Sequence, residues 1–209
     1  MAANEAKQAM LPKYCLIDDF LEPDLLERLR RHVTACEDSF APAKVRDSGS
    51  SVRIAAARQS SKCALGLGSL KADFADRLED IAPRLFTELG VPPAPIAEIE
   101  TELVAHRDGA FFGPHIDTFV AADRTGETTD RLISTVFYFS FADAAFTGGE
   151  LAIFPFAKGP PPATIQPRHN RLVAFPSFVL HEVRKVSVPG DAFGDARFSI
   201  NGWLHRQRG

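Results

Sequence analysis

Two hydrophobic periods divide the chain. Up to about residue 95, apolar positions return every three or four residues. Leu25, Leu26, Leu29 and Val33 share one face of a predicted helix, with Glu27, Arg28, Arg30 and Arg31 on the other. Leu70, Phe74, Leu78, Ile81 and Leu85 predict a second helix over residues 69–89. Ser69 is placed to cap it, and Gly90, followed by Pro92 and Pro93, stops it. Residues 14–17 form a short apolar run that reads as a strand, after a polar tail over residues 1–13. Residues 39–62 are rich in Ser, Arg, Ala and Gly. They predict one or two loose strands joined by a mobile loop around residues 47–51.

Beyond Pro95 the period drops to two. Residues 96–105, 131–141, 150–154, 171–175, 178–186 and 197–205 read as strands. Gly and Pro punctuate them at residues 107–109, 148–149, 159–162 and 189–190. Many short strands closed by such turns predict a sandwich or jelly roll. The expected fold class is α+β. Residues 14–209 form one domain, with helical support and a loop over 14–95 and a β-roll core over 96–209.

Composition narrows the classes of function. Hydrophobic residues make up 45% and charged residues 24%, which excludes whole-chain disorder. Lys and Arg number 24 against 27 Asp and Glu, a net charge of −3, so no nucleic acid partner is expected. No apolar run has the ~18–20 residues that span a bilayer, so no membrane partner is expected. Residues 1–10 lack the apolar core of a signal peptide. Cys15, Cys36 and Cys63 are widely and unevenly spaced and form no disulfide framework. They read as small buried thiols of a cytoplasmic protein. The 17 Phe, against 2 Tyr and 1 Trp, concentrate in the second half and predict an aromatic core there. Oligomeric state has no signature in the sequence.

The candidate chemistry begins at His115-Ile116-Asp117. On a strand, residues two apart project to the same face, so His115 and Asp117 can bind one metal together. A loop-edge His beside a solvated Asp fits the same letters. His181 lies in the apolar stretch 175–183, where an unpaired imidazole is costly. A metal or a satisfied core histidine explains it equally. Two His and one carboxylate suit non-haem Fe(II) with three open positions, and also a catalytic zinc. In residues 197–205 the alternation places Arg197, Ser199, Asn201 and Trp203 on one face and Phe198, Ile200 and Leu204 on the other. The polar face is either solvated or lines a cavity, where Arg197 suits a carboxylate held bidentately. Tyr138 shares its face with Ser134 and Ser140. It is either a core residue or a second donor to that carboxylate.

Five segments then carry a resemblance. They are Gly109-Ala110-Phe111-Phe112-Gly113-Pro114-His115-Ile116-Asp117, residues 131–140, Gly148-Gly149-Glu150-Leu151, residues 171–181 and residues 197–203. In this order they resemble the Fe(II)- and 2-oxoglutarate-dependent dioxygenases, in particular the prolyl-4-hydroxylase-like branch. The resemblance covers residues 96–205 well and 14–95 more loosely. It implies a double-stranded β-helix in which His115, Asp117 and His181 bind Fe(II). Arg197, helped by Tyr138 and with Trp203 in the same cavity, would hold 2-oxoglutarate. It further implies O2 as oxidant, ascorbate as a reductant, and hydroxylation of a peptidyl proline. A free amino acid or other small-molecule substrate fits the same fold.

The sequence also departs from the family pattern. His106 stands nine residues before the first metal His, where members often have a Tyr touching the cosubstrate. A cosubstrate contact and a plain strand-end His both fit it. The interval from His181 to Arg197 is long and predicts a protruding hairpin over residues 187–196. Arg58-Gln59-Ser60 resembles the Arg-x-Ser of prolyl hydroxylases near the substrate entrance. Arg58 is thus a substrate-contact candidate, against a solvated basic loop. Competing readings lose ground on particular residues. A halogenase lacks the carboxylate that Asp117 supplies, a zinc hydrolase leaves Arg197 and Tyr138 without purpose, and a noncatalytic module leaves the whole set without one.

Overall fold

The computed structural model describes residues 11–43, 58–118, 128–141, 145–157 and 160–208. The loop around residues 47–51 and most of the tail fall outside them. Strand β1 (Cys15–Ile17) precedes helix α1 (Pro23–Ala35), which opens on Pro23, whose fixed φ suits a first turn, and buries Leu26, Leu29 and Val33. Helix α2 (Leu70–Leu89) buries Leu70, Phe74, Leu78, Ala82, Leu85, Phe86 and Leu89, while Ile81 is only half-buried. Gly90 ends α2 in the left-handed region, at φ 67°, and its amide donates to the carbonyls of Phe86 and Thr87. Ser69 does not cap it. Its backbone is already right-handed helical, at φ −67° and ψ −15°, and its side chain makes no capping bond.

The strands that follow are β2 (Phe40–Pro42), β3 (Arg58–Gln59), β4 (Ser61–Cys63), β5 (Glu98–His106), β6 (Phe111–His115), β7 (Thr129–Phe139) and β8 (Thr147–Gly148). The rest are β9 (Leu151–Ile153), β10 (Ala163–Ile165), β11 (Arg171–Pro176), β12 (His181–Val183), β13 (Val186–Ser187) and β14 (Arg197–Gln207). Among the described residues they form a large sheet ordered β1-β11-β7-β14-β5-β4-β2, a smaller sheet ordered β10-β9-β12-β6-β3, and a β13-β8 pair. Every pairing is antiparallel. The result is a jelly roll backed by two helices, as the change of period predicts.

Alternation gives the large sheet two different faces. Phe137 and Phe139 of β7, Leu172 and Ala174 of β11, and Phe198, Ile200 and Leu204 of β14 pack with Phe74, Leu78 and Leu85 of α2. Their neighbours Val136, Tyr138, Val173 and Phe175 point the other way, onto Leu151 and Ile153 of the small sheet. Burying the first set drives the helices onto one face, at about 1.5–3 kcal/mol per large apolar side chain. That packing fixes which residues look into the roll.

Two stretches differ from expectation. The single strand predicted over 178–186 divides into β12 and β13, because Val186 and Ser187 pair with Thr147 and Gly148, residues at the predicted turn. The interval 187–196 is not a protruding hairpin. Arg107 donates to Asp191, Val188 donates its amide to Asp108, and Phe193 packs on Phe40 and Phe198. The three cysteines are free and buried, with Cys36 and Cys63 sulfurs 3.4 Å apart. No helix among the described residues is long and apolar enough to cross a membrane.

Candidate active site

His115 ends β6, His181 begins β12, and the two face each other in register. Asp117 lies beyond the strand, so the shared strand face predicted for His115 and Asp117 does not occur. The chain bends instead, and the amides of Asp117 and Thr118 donate to the Ser177 carbonyl in the turn after β11, at 2.9 and 3.1 Å. This docking brings the carboxylate back to the two imidazoles. Nε2 of His115 is 3.6 Å from Asp117 Oδ1, and Nε2 of His181 is 3.7 Å from Oδ2. One ligand atom from each residue lies within 4.8 Å of the others.

Both histidines carry the same tautomer. Nδ1 of His115 lies 2.8 Å from the Gly113 carbonyl, and Nδ1 of His181 lies 2.9 Å from that of Val179. A carbonyl only accepts, so Nδ1 carries the proton and each Nε2 lone pair points at Asp117. Burial, then the nearby His181, pushes His115 down to about 4. Burial raises the Asp117 carboxyl, but His181, His115 and a hydrogen bond from Ser134 outweigh it, and the net direction is down. The set thus offers two imidazole nitrogens and a carboxylate, the donor chemistry of a divalent transition metal.

A second ring of groups holds this set. Ser134 donates to Asp117 Oδ2 at 2.6 Å, and Ser177 Oγ is 2.9 Å behind Ser134. Since Ser134 has one proton, already given to the carboxylate, Ser177 donates to it in turn. Arg131 stacks over the Trp203 indole at 4.0 Å, donates to Glu100 Oε2 through Nε and Nη2, and reaches the Asp117 carbonyl at 3.4 Å. Burial would raise Glu100, but His205 and Arg131 bring it down to about 2.

The cleft beside the metal set is lined by Arg197, His106, Trp203, Asn201, Leu151 and Arg58, among others. Arg197 is 1% exposed. Its Nη1 lies 3.2 Å from Nδ1 of His106, its cross-strand partner, and its guanidinium lies 4.7 Å from the Tyr138 ring centroid. A guanidinium only donates, so His106 Nδ1 accepts and the His106 proton sits on Nε2. Burial, then Arg197, keeps His106 neutral, well below its ordinary range. Burial pushes Arg197 down and Tyr138 up. Five buried donors in this region lack a partner among the described residues: Arg197 Nε and Nη2, His106 Nε2, the Tyr138 hydroxyl and the Trp203 indole N–H. Tyr138 approaches Arg197, and the indole approaches Asp117, without completing a hydrogen bond. Gly149 leaves the space that Arg197 fills, since a Cβ there would stand 2.5 Å from Arg197 Cδ. Unsatisfied buried donors around a cation are costly, and a carboxylate-bearing molecule removes that cost. The residues therefore fit both Fe(II) and 2-oxoglutarate.

Arg58 is buried, not a solvated loop residue. It donates to Ser60 at 2.8 Å and to Glu102 at 3.4 Å, lies over Phe112, and lines the cleft. Lys62 holds the other Glu102 oxygen at 2.7 Å. Sequence reasoning missed Ser134, Ser177, Glu100, Arg131 and Glu102. The period-2 pattern did place Ser134 on Tyr138's face, but nothing local marked the others.

Residues 101–205 match the model of the 2OG-Fe(II) oxygenase superfamily. An uncharacterized PKHD-type hydroxylase from Synechocystis is 28% identical, over 98% of this chain and 67% of its own length. A Pseudomonas putida prolyl-4-hydroxylase superposes with a TM-score of 0.65 at 24% identity, covering 100% of this chain and 99% of that one. A Trichoplax adhaerens prolyl hydroxylase, solved with a peptide fragment of a hypoxia-inducible factor, gives 0.67 at 19% identity, covering 97% and 90%.

Proposed function

We propose, from the premise that this chain belongs to the 2OG-Fe(II) oxygenase superfamily, that it hydroxylates a peptidyl proline and that the residues above divide the work. As a member of this family with a PKHD-type hydroxylase relative, the chain is an Fe(II)- and 2-oxoglutarate-dependent dioxygenase that hydroxylates a C–H bond. Substrate C–H, O2 and 2-oxoglutarate give C–OH, succinate and CO2. Bound Fe(II) with 2-oxoglutarate supplies the activated oxygen for this oxidation.

His115 and His181 offer their Nε2 lone pairs, and Asp117 offers its carboxylate. Ser134 steadies that carboxylate through one oxygen. Arg197 would take the far carboxylate of 2-oxoglutarate, with the Tyr138 hydroxyl and His106 Nε2 as further donors beside it, while Trp203 would close the cleft on the Asp117 side. Leu151, Val136 and Val183 form apolar walls that exclude water from the reacting centre. Arg58, which lines the cleft, would contact the substrate. Residues 14–209 act as one catalytic domain, and the free thiols support a cytoplasmic location.

The observation that carries this reading is the buried Arg197 with unpartnered donors beside a His/Asp/His set. Incubation of the Fe(II) enzyme with 2-oxoglutarate, O2 and blocked proline peptides tests it. Succinate formed in step with a hydroxyproline product supports the reading. Succinate formed only with free amino acids or small metabolites moves the substrate to that class.

A further inference from the structure

On a regular strand, residues three apart face opposite ways. Phe112 and His115 of β6 are three apart, yet their rings stack, with centroids 3.6 Å apart and planes 15° apart. The pairing with β12 explains this. His181 lies opposite His115 and Val183 opposite Phe112, so three steps of β6 run against two of β12. The extra residue makes a β-bulge over Gly113 and Pro114, which turns Phe112 to the face of His115. Pro114 has no amide to give the ladder, and the Gly113 carbonyl accepts from His115 Nδ1 at 2.8 Å.

His115 needs such a fixture more than His181 does. Its side chain is 19% exposed, against 5% for His181. It is the last residue of β6, so no strand ladder holds the chain beyond it. The Nδ1 contact fixes one edge of the imidazole and leaves rocking about that edge open. Among the described residues, two rings touch it. One is His181, tilted by 54° and itself a metal ligand candidate, and the other is the flat face of Phe112. Phe112 is held in turn. Arg58 lies opposite it on β3 with its guanidinium 4.9 Å from the ring centroid, and Ser60 and Glu102 accept from that guanidinium. A chain of contacts therefore runs from Glu102 through Arg58 and Phe112 to His115.

We infer that Phe112 is a positioning residue for the metal set, placed by the bulge at 113–114 to hold the His115 imidazole in the orientation that turns Nε2 toward Asp117. Phe112 offers no ligand atom, so it acts through His115. The inference rests on the metal set of the reading above and adds to it the residue that orients one ligand. A stacked aromatic pair favours one arrangement by about 2- to 12-fold. Without the stack the imidazole spends less time in the ligating orientation, and the apparent metal affinity falls by up to that factor.

The test uses the metal alone, without 2-oxoglutarate or substrate, because Phe112 also lines the cleft. Co(II) is titrated into wild type, Phe112→Leu, Phe112→Met and Phe112→Tyr, by calorimetry and by the visible Co(II) spectrum. Leu and Met keep apolar bulk without a flat face, and Tyr keeps the face. Phe112 is half-buried and belongs to none of the hydrophobic core clusters, so all three variants should melt near wild type. Phe112→Leu and Phe112→Met should bind Co(II) about 2- to 12-fold more weakly, and Phe112→Tyr should bind it as wild type does. In the metal-free protein, the ring protons of His115 should resonate upfield in the ring current of Phe112 and move downfield in Phe112→Leu. Loss of general stability alone would not produce that shift. Wild-type Co(II) affinity in Phe112→Leu or Phe112→Met overturns the inference. So does weakened binding in Phe112→Tyr, or an unchanged His115 proton shift in Phe112→Leu. A wild type that binds no Co(II) instead removes the metal set itself, and the role of Phe112 with it.

Discussion

Replacing Ser134 by Ala removes one hydroxyl and tests whether the metal set depends on groups behind it. In the native structure this hydroxyl donates to Asp117 Oδ2 at 2.6 Å and receives Ser177 at 2.9 Å. Asp117 needs such support because it lies on a bend and no strand ladder fixes it. Loss of a hydrogen bond to a charged group costs about 1.5–3 kcal/mol. Loss of a group that orients a metal ligand typically weakens metal binding about 10–100-fold, the same range in free energy. Ser134 is 1% exposed, so the variant also leaves Ser177 with a buried, unpartnered hydroxyl and should melt slightly earlier. Anaerobic calorimetry with Fe(II), or with Co(II) as a spectroscopic stand-in, reads the affinity directly. Ser177→Ala should show a smaller loss, because it acts through Ser134. Wild-type affinity in Ser134→Ala would show that Asp117 does not depend on Ser134 to hold the metal.

Other perturbations separate the remaining parts. His115→Ala or His181→Ala should abolish 2-oxoglutarate turnover while circular dichroism stays native, and turnover near wild type would remove that residue from the metal set. Gly149→Ala should raise the 2-oxoglutarate requirement in a steady-state titration. Its backbone has φ 71° and its new methyl would displace Arg197. His106→Phe should weaken 2-oxoglutarate binding under argon by about one order of magnitude, the value of one donor to a charged group. Glu100 has a folded pKa of about 2, below its ordinary 4.5, so it contributes stability above pH ~4.5 that is lost as pH falls toward 2. The melting temperature of Glu100→Gln should therefore depend less on pH across that window than wild type's does.

Strand faces were the most legible feature of the sequence. Residues 197–205 alternate strictly, and β14 turns Phe198, Ile200 and Leu204 to the helices and Arg197, Asn201 and Trp203 to the cleft, as read. The same rule placed Tyr138 inward on β7. The rule failed where the chain leaves regular structure. Asp117 meets His115 through a bend docked on Ser177, a contact across 60 residues that no local pattern encodes. Val186 leaves its strand to pair with Gly148, where Gly148 and Gly149 adopt left-handed conformations, at φ 74° and 71°. Glu100 and Arg131 were invisible for a related reason. They meet Trp203 only because β5 and β7 flank β14, and each alone reads as an ordinary surface charge.

Arg197 is proposed to hold 2-oxoglutarate beside the His115, Asp117 and His181 metal set. Titration of 2-oxoglutarate into Fe(II)-loaded protein under argon, followed by the visible charge-transfer band, reads that role. Wild type should develop the band and saturate. Arg197→Ala should bind Fe(II) normally yet need roughly 30- to several-thousand-fold more 2-oxoglutarate, since losing a buried charged partner costs about 2–5 kcal/mol. Arg197→Lys should fall between them, keeping the charge but not the fork. Equal affinities in wild type and Arg197→Ala would contradict the assignment of Arg197, and a wild type with no band at any concentration would contradict 2-oxoglutarate binding at this metal set.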